Sequence, residues 1–280
     1  MTSVSLDGGA APAARARRGA AWRANLIKLA SICMFFLGWQ ALSVLNVHVF
    51  KFFNPILLPP PTAAFAVGLE MMISGELQRH IAASLSRVIQ GFLIAAVMGV
   101  GVGTLVGRSK LLENVIDPVI ELLRPIPPLA FLPMMVLWFG IGEQSKIAFI
   151  AYAAFFPIFT TTVEGIKYVD PVLVRAAASL GASRGEIFRY VVLPAATPSI
   201  ITGLRLGFGL SFFVIVAAEF IASDSGLGFL INDARTFFLV SNMLLGAAVI
   251  GLIGLIGFVF NFGLRQLEAR LLRWRKTGRN

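Results

Sequence analysis

The strongest constraint on this chain is a series of apolar segments, each about 20 residues long. Windows of this kind fall at residues 26–45, 86–106, 119–139, 147–166, 199–222 and 243–264. As an α-helix, a segment of that length crosses the hydrocarbon core of a bilayer. The composition agrees, because 57% of the 280 residues are hydrophobic and 14% are charged. The sequence therefore predicts an all-α integral membrane protein with about six transmembrane helices.

The third window is the one least expected to form a continuous helix. It is interrupted by Pro125, Pro127, Pro128 and Pro133. Proline lacks the backbone N–H and its ring clashes with the preceding turn, so prolines inside a helix bend or break it.

The positions of Lys and Arg predict the orientation. If the N-terminus is cytoplasmic, most of the cations fall inside, and both termini are cytoplasmic. The exceptions at or beyond the outer face are Lys51, Arg79, Arg87, Lys146 and Arg235. The formal net charge of +10 suggests nucleic acid as a partner, but the cations flank apolar runs and form no continuous patch. We therefore expect a multi-pass protein of the bacterial cytoplasmic (inner) membrane, in contact with lipid and not with nucleic acid.

Three regions are expected along the chain. Residues 1–24 are rich in Ala, Gly and Arg and predict a disordered basic cytoplasmic tail. Residues 25–265 form the transmembrane domain, with a cytoplasmic loop at 167–198, and residues 266–280 form a second basic tail. A cleaved signal peptide is disfavoured because no small-residue cleavage site follows the first window, and a mitochondrial transit peptide is the minority interpretation.

The sequence contains no recognisable catalytic or metal-binding pattern. Residues 103–110, "GTLVGRSK", lack the spacing and the lysine of a phosphate-binding loop. His48 and His80 are the only histidines, and no set of Ser, His and Asp converges on them. We expect no catalytic residue, no metal and no cofactor bound by this chain.

Small residues recur every four positions in the second window and in the fifth. The second window has Gly91, Ala95, Gly99, Gly103 and Gly107, and the fifth has Gly203, Gly207 and Ser211. Such strips let two membrane helices approach closely. They predict packing seams rather than substrate contacts.

The loop between the fourth and fifth windows has the signals of two short helices. Asp170 can cap a first helix that starts with Pro171, and Gly181 can end it in the left-handed conformation. Ser183 and Glu186 have the spacing of a capping box for a second helix, which Pro194 is expected to end. The loop is therefore expected to be a bent helical pair at the membrane surface.

This loop resembles the signature loop of ABC importer permeases, the binding-protein-dependent transport family. The residues that match are Ala176, Ala177, Gly181, Val191, Leu193 and Pro194. Residues 123–142, "LRPIPPLAFLPMMVLWFGIG", and 217–231, "AAEFIASDSGLGFLI", are similar to the branch that transports nitrate, aliphatic sulfonates, taurine and bicarbonate. The resemblance covers about residues 55–264 and implies the type I ABC importer permease fold.

In that family the loop holds a coupling helix that sits in a cleft of the ATPase subunit. The resemblance therefore assigns ATPase docking to Arg175, Ala176, Ala177, Ser179, Leu180, Gly181, Ser183, Glu186, Leu193 and Pro194. Arg175 stands where the family usually has Glu, so this chain offers a cation at that position. The implied partners are a second permease copy, most simply an identical one, two ATPase chains that bind and hydrolyse ATP, and an extracytoplasmic substrate-binding protein. This chain itself would be a transport subunit and not an enzyme.

Candidate residues of the translocation path are Arg124, Pro127, Pro128 and Glu219, for a small oxyanion such as a sulfonate, taurine, nitrate or bicarbonate. Arg124 adjoins the proline-broken segment and offers a fixed cation, although a cation extending to the headgroups is the favoured alternative. Glu219 should face protein or water, in a structural ion pair or against the binding protein. The rival class is a six-helix channel or ion-coupled secondary transporter.

Overall fold

The computed structural model describes residues 10–52, 54–221 and 223–271 of the chain. Eleven α-helices follow one another in these residues: α1 (Ala10–Leu45), α2 (Pro61–Ile73), α3 (Glu76–Arg108), α4 (Lys110–Leu123), α5 (Pro128–Phe139), α6 (Glu143–Lys167), α7 (Pro171–Ser179), α8 (Arg184–Ile187), α9 (Leu193–Ile221), α10 (Leu227–Thr236) and α11 (Val240–Leu271). Short helical turns of other types lie at Asn46–Phe50, Pro55–Leu57 and Phe188–Val192. The predicted all-α class is confirmed.

Five helical stretches in the described part of the chain are long and apolar enough to cross a membrane. They are Asn25–Phe50, Glu76–Arg108, Glu143–Lys167, Arg184–Ile221 and Val240–Leu264. Helices α4 and α5 qualify only together, and they are bent by 100° at the break between them. Pro125, Pro127 and Pro128 lie at this break, which explains why the third predicted window is two helices and not one.

Helices α3, α6 and α9 form the centre of the bundle, and glycines allow them to pack closely. A Cβ at Gly91 would lie 2.6 Å from Ile150 Cβ, and one at Gly99 would lie 2.8 Å from Ile158 Cγ2. A Cβ at Gly207 of α9 would lie 2.7 Å from Cδ1 of the same Ile158. The predicted packing seams are therefore confirmed.

These contacts also define the two ends of the bundle. Gly91 and Ile150 meet near the start of α6, whereas Gly107 and Ile166 meet at its end. Helices α3 and α6 therefore run parallel, and α9 runs antiparallel beside them. The proximal end is the one where α7 and α8 connect α6 to α9. The distal end is the one where α6 begins and α9 stops.

The remaining helices pack around this centre. Helices α2, α10 and α11 share a second apolar cluster at the distal end that includes Met71, Leu230, Leu245 and Val249. Helix α1 lies apart, and most of its described side chains are exposed. Its Ser43 hydroxyl donates to the backbone oxygen of Leu58 at 3.0 Å. The exposed apolar surface of α1 is that expected of a helix in contact with lipid.

Two sequence expectations differ from the structure. Helix α1 begins at Ala10, so the part of the tail from Ala10 to residue 24 is helical, which suits its many Ala and Arg residues. Residues 1–9 and 272–280 of the two expected tails lie outside the described residues. Pro194 does not end a helix either, because it lies inside the continuous helical stretch Arg184–Ile221.

Candidate functional site

The loop at residues 167–198 is named here the coupling loop. Its first helix is α7. The Asp170 side chain accepts from the N–H of Val172 at 2.8 Å, and Pro171 occupies the first turn, where its missing N–H costs no hydrogen bond. The predicted start of the helix is therefore confirmed.

Gly181 ends α7 as expected. Its φ of +84° lies in the left-handed region, which a glycine adopts without a Cβ penalty. The N–H of Ala182 donates to Ala177 O at 3.2 Å, and the N–H of Gly181 donates to Ala178 O at 3.0 Å. These two bonds are those of a Schellman motif, so the turn has a defined geometry.

The second helix of the loop, α8, starts with the predicted capping box. Glu186 Oε2 accepts from the backbone N–H of Ser183 at 2.8 Å, and the Ser183 hydroxyl accepts from the N–H of Glu186 at 3.4 Å. Beyond α8 the chain continues through the π-helical turn Phe188–Val192 into α9. In an α-helix the ring of Pro194 would clash with the carbonyl four residues earlier, which belongs to Tyr190 and lies inside this wider turn. The π-helical turn thus accommodates the proline, and the expectation that Pro194 stops the helix was wrong.

The coupling loop is exposed but firmly attached. No residue of α7, α8 or the following π-helical turn is buried, and Leu180 is 88% exposed. At one end, Lys167 Nζ lies 2.7 Å from Glu113 of α4. At the other, the Arg108 guanidinium lies 5.0 Å from the ring centre of Phe188. The loop thus presents small and apolar side chains from a fixed base.

The structure separates the four candidate path residues. Pro127 and Pro128 line a largely apolar cavity of about 680 Å³ between α5, α6, α9 and α11. Arg124 lines a different cavity of about 160 Å³ between α4 and α6. The ionic side chains of that smaller cavity are three carboxylates and two cations. Glu219 lies at the distal end and faces protein, and these residues do not converge on one site.

Arg87 joins three parts of the chain at the distal end. Its side chain is 2% exposed. Nε and Nη2 donate to the two carboxylate oxygens of Glu143 at 2.5 and 2.6 Å, and Nη1 donates to Glu219 Oε1 at 2.7 Å. Nη1 and Nη2 also donate to the backbone oxygen and the hydroxyl of Ser225 at 2.7 and 3.0 Å. Each of the five guanidinium N–H bonds therefore has an acceptor.

Two cations and two acids form this ion cluster, which is defined as Arg87, Glu143, Lys146 and Glu219. Lys146 Nζ lies 3.1 Å from Glu143 Oε1, and the side chains of Lys146 and Glu219 are 3% and 1% exposed. Opposite charges in equal number reduce the cost of burial. The cluster lies near the ends of α6 and α9, and not at the middle of the bundle as in a membrane ion pathway.

The cluster also holds the loop between α9 and α10. Glu219 Oε2 accepts from the N–H of Gly228 at 2.8 Å, and the Ser84 hydroxyl lies 2.8 Å from Glu219 Oε1. His80 Nδ1 accepts from the N–H of Gly226, which has a φ of +116°. A Cβ at Gly228 would lie 2.7 Å from Val216 O. Residues 223–228, "SDSGLG", thus form a turn that is held against α3 and α9.

The role of Arg87 as the centre of this cluster was not predicted from the sequence, which placed Arg87 at or beyond the outer face. For Glu219 the sequence predicted only that it faces protein or water. One feature of the sequence does point to a buried role for Arg87. His80, Ser84, Arg87 and Gly91 are spaced by four, three and four residues, so they lie on the same face of α3 as the packing seam. A cation on a packing face has to find acceptors inside the bundle.

Comparison with protein families and curated proteins gives one consistent result. Residues 79–273 match the family described as binding-protein-dependent transport system inner membrane component. The taurine transport system permease protein TauC of Escherichia coli (strain K12) is 42% identical over 234 residues, which is 82% of this chain and 84% of that protein. The putative aliphatic sulfonates transport permease protein SsuC of Bacillus subtilis (strain 168) is 37% identical over 85% of this chain and 84% of its own length. The nitrate import permease protein NrtB of Synechocystis sp. is 40% identical over 63% of this chain and 64% of its own length.

Solved structures share the fold. An inward-facing structure of the MetNI methionine ABC transporter matches with a TM-score of 0.58 at 19% identity, over 72% of this chain and 98% of that chain. An amino acid ABC transporter with histidines matches with a TM-score of 0.59 at 21% identity, over 72% and 97%.

Proposed function

The chain belongs to the binding-protein-dependent transport family, the permease subunits of ABC importers, and on this basis we propose that it imports a small organic sulfonate. The alternative class, a channel or ion-coupled transporter, is not favoured, because the relatives over most of the chain are ABC permeases. The permease provides the path and the moving parts, while ATP is bound and hydrolysed on separate chains.

The proposed substrate class rests on the relatives. The taurine permease TauC and the Bacillus subtilis sulfonate permease SsuC match over 82% and 85% of this chain, whereas the nitrate permease matches over 63%. Taurine and alkane sulfonates share a sulfonate group, so a sulfonate is the common cargo. Arg124 remains the candidate cation of the path, although the carboxylates that share its cavity make it a weak anion site by itself.

The proposed ATPase contact rests on the geometry of the coupling loop. A short helix with both ends capped, exposed Leu180 and small Ala176, Ala177 and Ala178 side chains suits insertion into a cleft. Its fixed base allows a displacement of α7 to reach α6 and α9 directly. This geometry is the observation that carries the proposal. Arg175 is exposed and would meet the ATPase with a positive charge where the family usually offers a negative one.

The proposed assembly has two copies of this chain, two ATPase chains and one extracytoplasmic binding protein. Both termini and the coupling loop lie in the cytoplasm, and the distal end faces the binding protein. Opening of the path alternates between the two sides as the ATPases close and separate.

Reconstitution tests this function. The chain is purified with an ABC ATPase and a binding protein of the same organism and placed in proteoliposomes. Uptake of labelled taurine, an alkane sulfonate, nitrate and bicarbonate is then measured with and without ATP. We expect ATP-dependent uptake of a sulfonate to exceed that of the inorganic anions. Uptake that does not depend on ATP would refute the importer mechanism, and preference for nitrate or bicarbonate would refute the substrate class.

A further inference from the structure

We propose that Arg87 is a positioning residue for transport, which joins the distal ends of α3, α6 and α9 so that the three helices move as one body. This inference rests on the proposed function for the source of the motion. Its structural part concerns the chain alone and can be tested without any partner.

Glycine contacts join the three helices along their length. Close packing at Gly91, Gly99 and Gly107 holds α3 against α6. Gly203 and Gly207 do the same between α9 and α6. Such contacts have one well-fitting arrangement, so the three helices slide little against one another.

The glycine seam between α3 and α6 ends before the distal end of the bundle. Gly91 is the last glycine of the seam toward the distal end, and the next positions on that face of α3 are Arg87, Ser84 and His80. Polar bonds replace the apolar contacts there. Arg87 is the side chain that reaches both neighbours, through Glu143 of α6 and Glu219 of α9.

The ion cluster and the coupling loop connect α6 and α9 at opposite ends. The loop connects α6 and α9 at the proximal end, and the cluster joins the same two helices at the distal end through α3. A displacement applied to α7 is carried to the loop between α9 and α10 only if the distal ends of α6 and α9 stay together. Without Arg87 those ends can separate, and the displacement is lost as bending.

The test compares Arg87→Lys with Arg79→Lys, an exposed cation on the same helix. Lysine keeps the positive charge of the ion cluster, so the chain should fold, but three N–H donors on a point-like group cannot span both carboxylates and Ser225. The number of substrate molecules imported per ATP hydrolysed is measured in proteoliposomes. We expect Arg87→Lys to lower this ratio at least threefold and Arg79→Lys to leave it unchanged. A role in stability alone would reduce uptake and ATP hydrolysis together and keep the ratio.

A second measurement is independent of ATPase and substrate. Spin labels are placed at exposed Gln144 of α6 and Ile221 of α9, in a background in which the single cysteine, Cys33, is replaced by alanine. Labelled chain is diluted with unlabelled chain so that both labels of a measured pair lie in one copy. We expect one narrow distance in the parent and in Arg79→Lys, and a distribution at least twice as broad in Arg87→Lys.

The outcomes of the two measurements are distinguishable. A narrow distribution in Arg87→Lys would overturn the positioning role even if the importer works as proposed. Absence of ATP-driven uptake by the parent chain would overturn the proposed function, while a broadened distribution would still support Arg87 as the residue that joins these helices.

Discussion

Arg87 and Glu219 are 132 residues apart in the chain and form an ion pair of 2.7 Å with side chains that are 2% and 1% exposed. Removal of one partner leaves the other charged and buried, which typically costs about 3–5 kcal/mol. Replacement of both by apolar residues is often much less harmful.

The first prediction follows from this pair. Glu219→Leu and Arg87→Met should each lower the midpoint of thermal unfolding in detergent by several degrees, and the double variant should be less destabilised than the sum of the two. Arg79→Met, which removes an exposed cation of the same helix, should have little effect. Strict additivity of the two variants would show that the pair has no coupling energy.

The second prediction concerns the packing seam. Gly99→Ala should destabilise the fold, because the new Cβ would lie 2.8 Å from Ile158 and 3.3 Å from the backbone nitrogen of Phe159. Gly101→Ala, two residues further along α3, meets nothing within 4 Å and should preserve or raise stability by up to about 1 kcal/mol. Thermal unfolding of the two variants in the same detergent compares them. Equal effects would contradict the seam.

The third prediction concerns the end of α7. Gly181→Val places a β-branched residue at a φ of +84° and should strain the turn by about 1–2 kcal/mol. The docking surface would then shift, so ATPase copurification and uptake should both fall while membrane insertion is preserved. Gly185→Val is the matched control, because Gly185 is exposed, lies in α8 and has open space around it. Normal copurification of Gly181→Val would remove the coupling loop from the contact.

The fourth prediction concerns the translocation path. If Arg124 helps an oxyanion to pass, Arg124→Gln should reduce sulfonate uptake roughly tenfold, equivalent to about 1.4 kcal/mol. Copurification with the ATPase should be unchanged, which separates a path role from a structural one. Unchanged uptake would mean that Arg124 serves the neighbouring carboxylates or the headgroups instead.

The fifth prediction concerns orientation. Cysteines at Gly185 and at Lys51, introduced one at a time into a Cys33→Ala background, should react with an impermeant thiol reagent from opposite sides of the membrane. Gly185 should be labelled from the cytoplasm. Labelling of both from one side would contradict the proposed topology.

The coupling loop shows what local sequence can predict. Asp170, Gly181 and the Ser183–Glu186 capping box act on backbone groups within five residues, so their effects follow from spacing alone. The glycine seams were equally accessible, because an apolar helix with small residues at every fourth position needs a neighbour. The sequence did not predict that the neighbour of both glycine seams is α6.

The ion cluster and Pro194 show where the prediction ended. The acidic partners of Arg87 lie 56 and 132 residues away, and no local pattern pairs them with it. The rule that placed Arg87 at the outer face counts charges and takes no account of acids that meet them in the fold. The π-helical turn before Pro194 was missed because standard helix-ending signals assume α-helical spacing.

The order of the residues in the ion cluster has a consequence for biogenesis. Translation makes α3, with Arg87, before it makes Glu143 and well before it makes Glu219. The arginine therefore has both of its carboxylate partners only when α9 is in place. Full neutralisation of this charge therefore requires the insertion of α9, so a copy in which α9 is missing or mis-inserted differs from a mature copy by an incompletely paired arginine. In a pulse-chase experiment, a chain truncated before α9 should be degraded faster than the same truncation carrying Arg87→Leu.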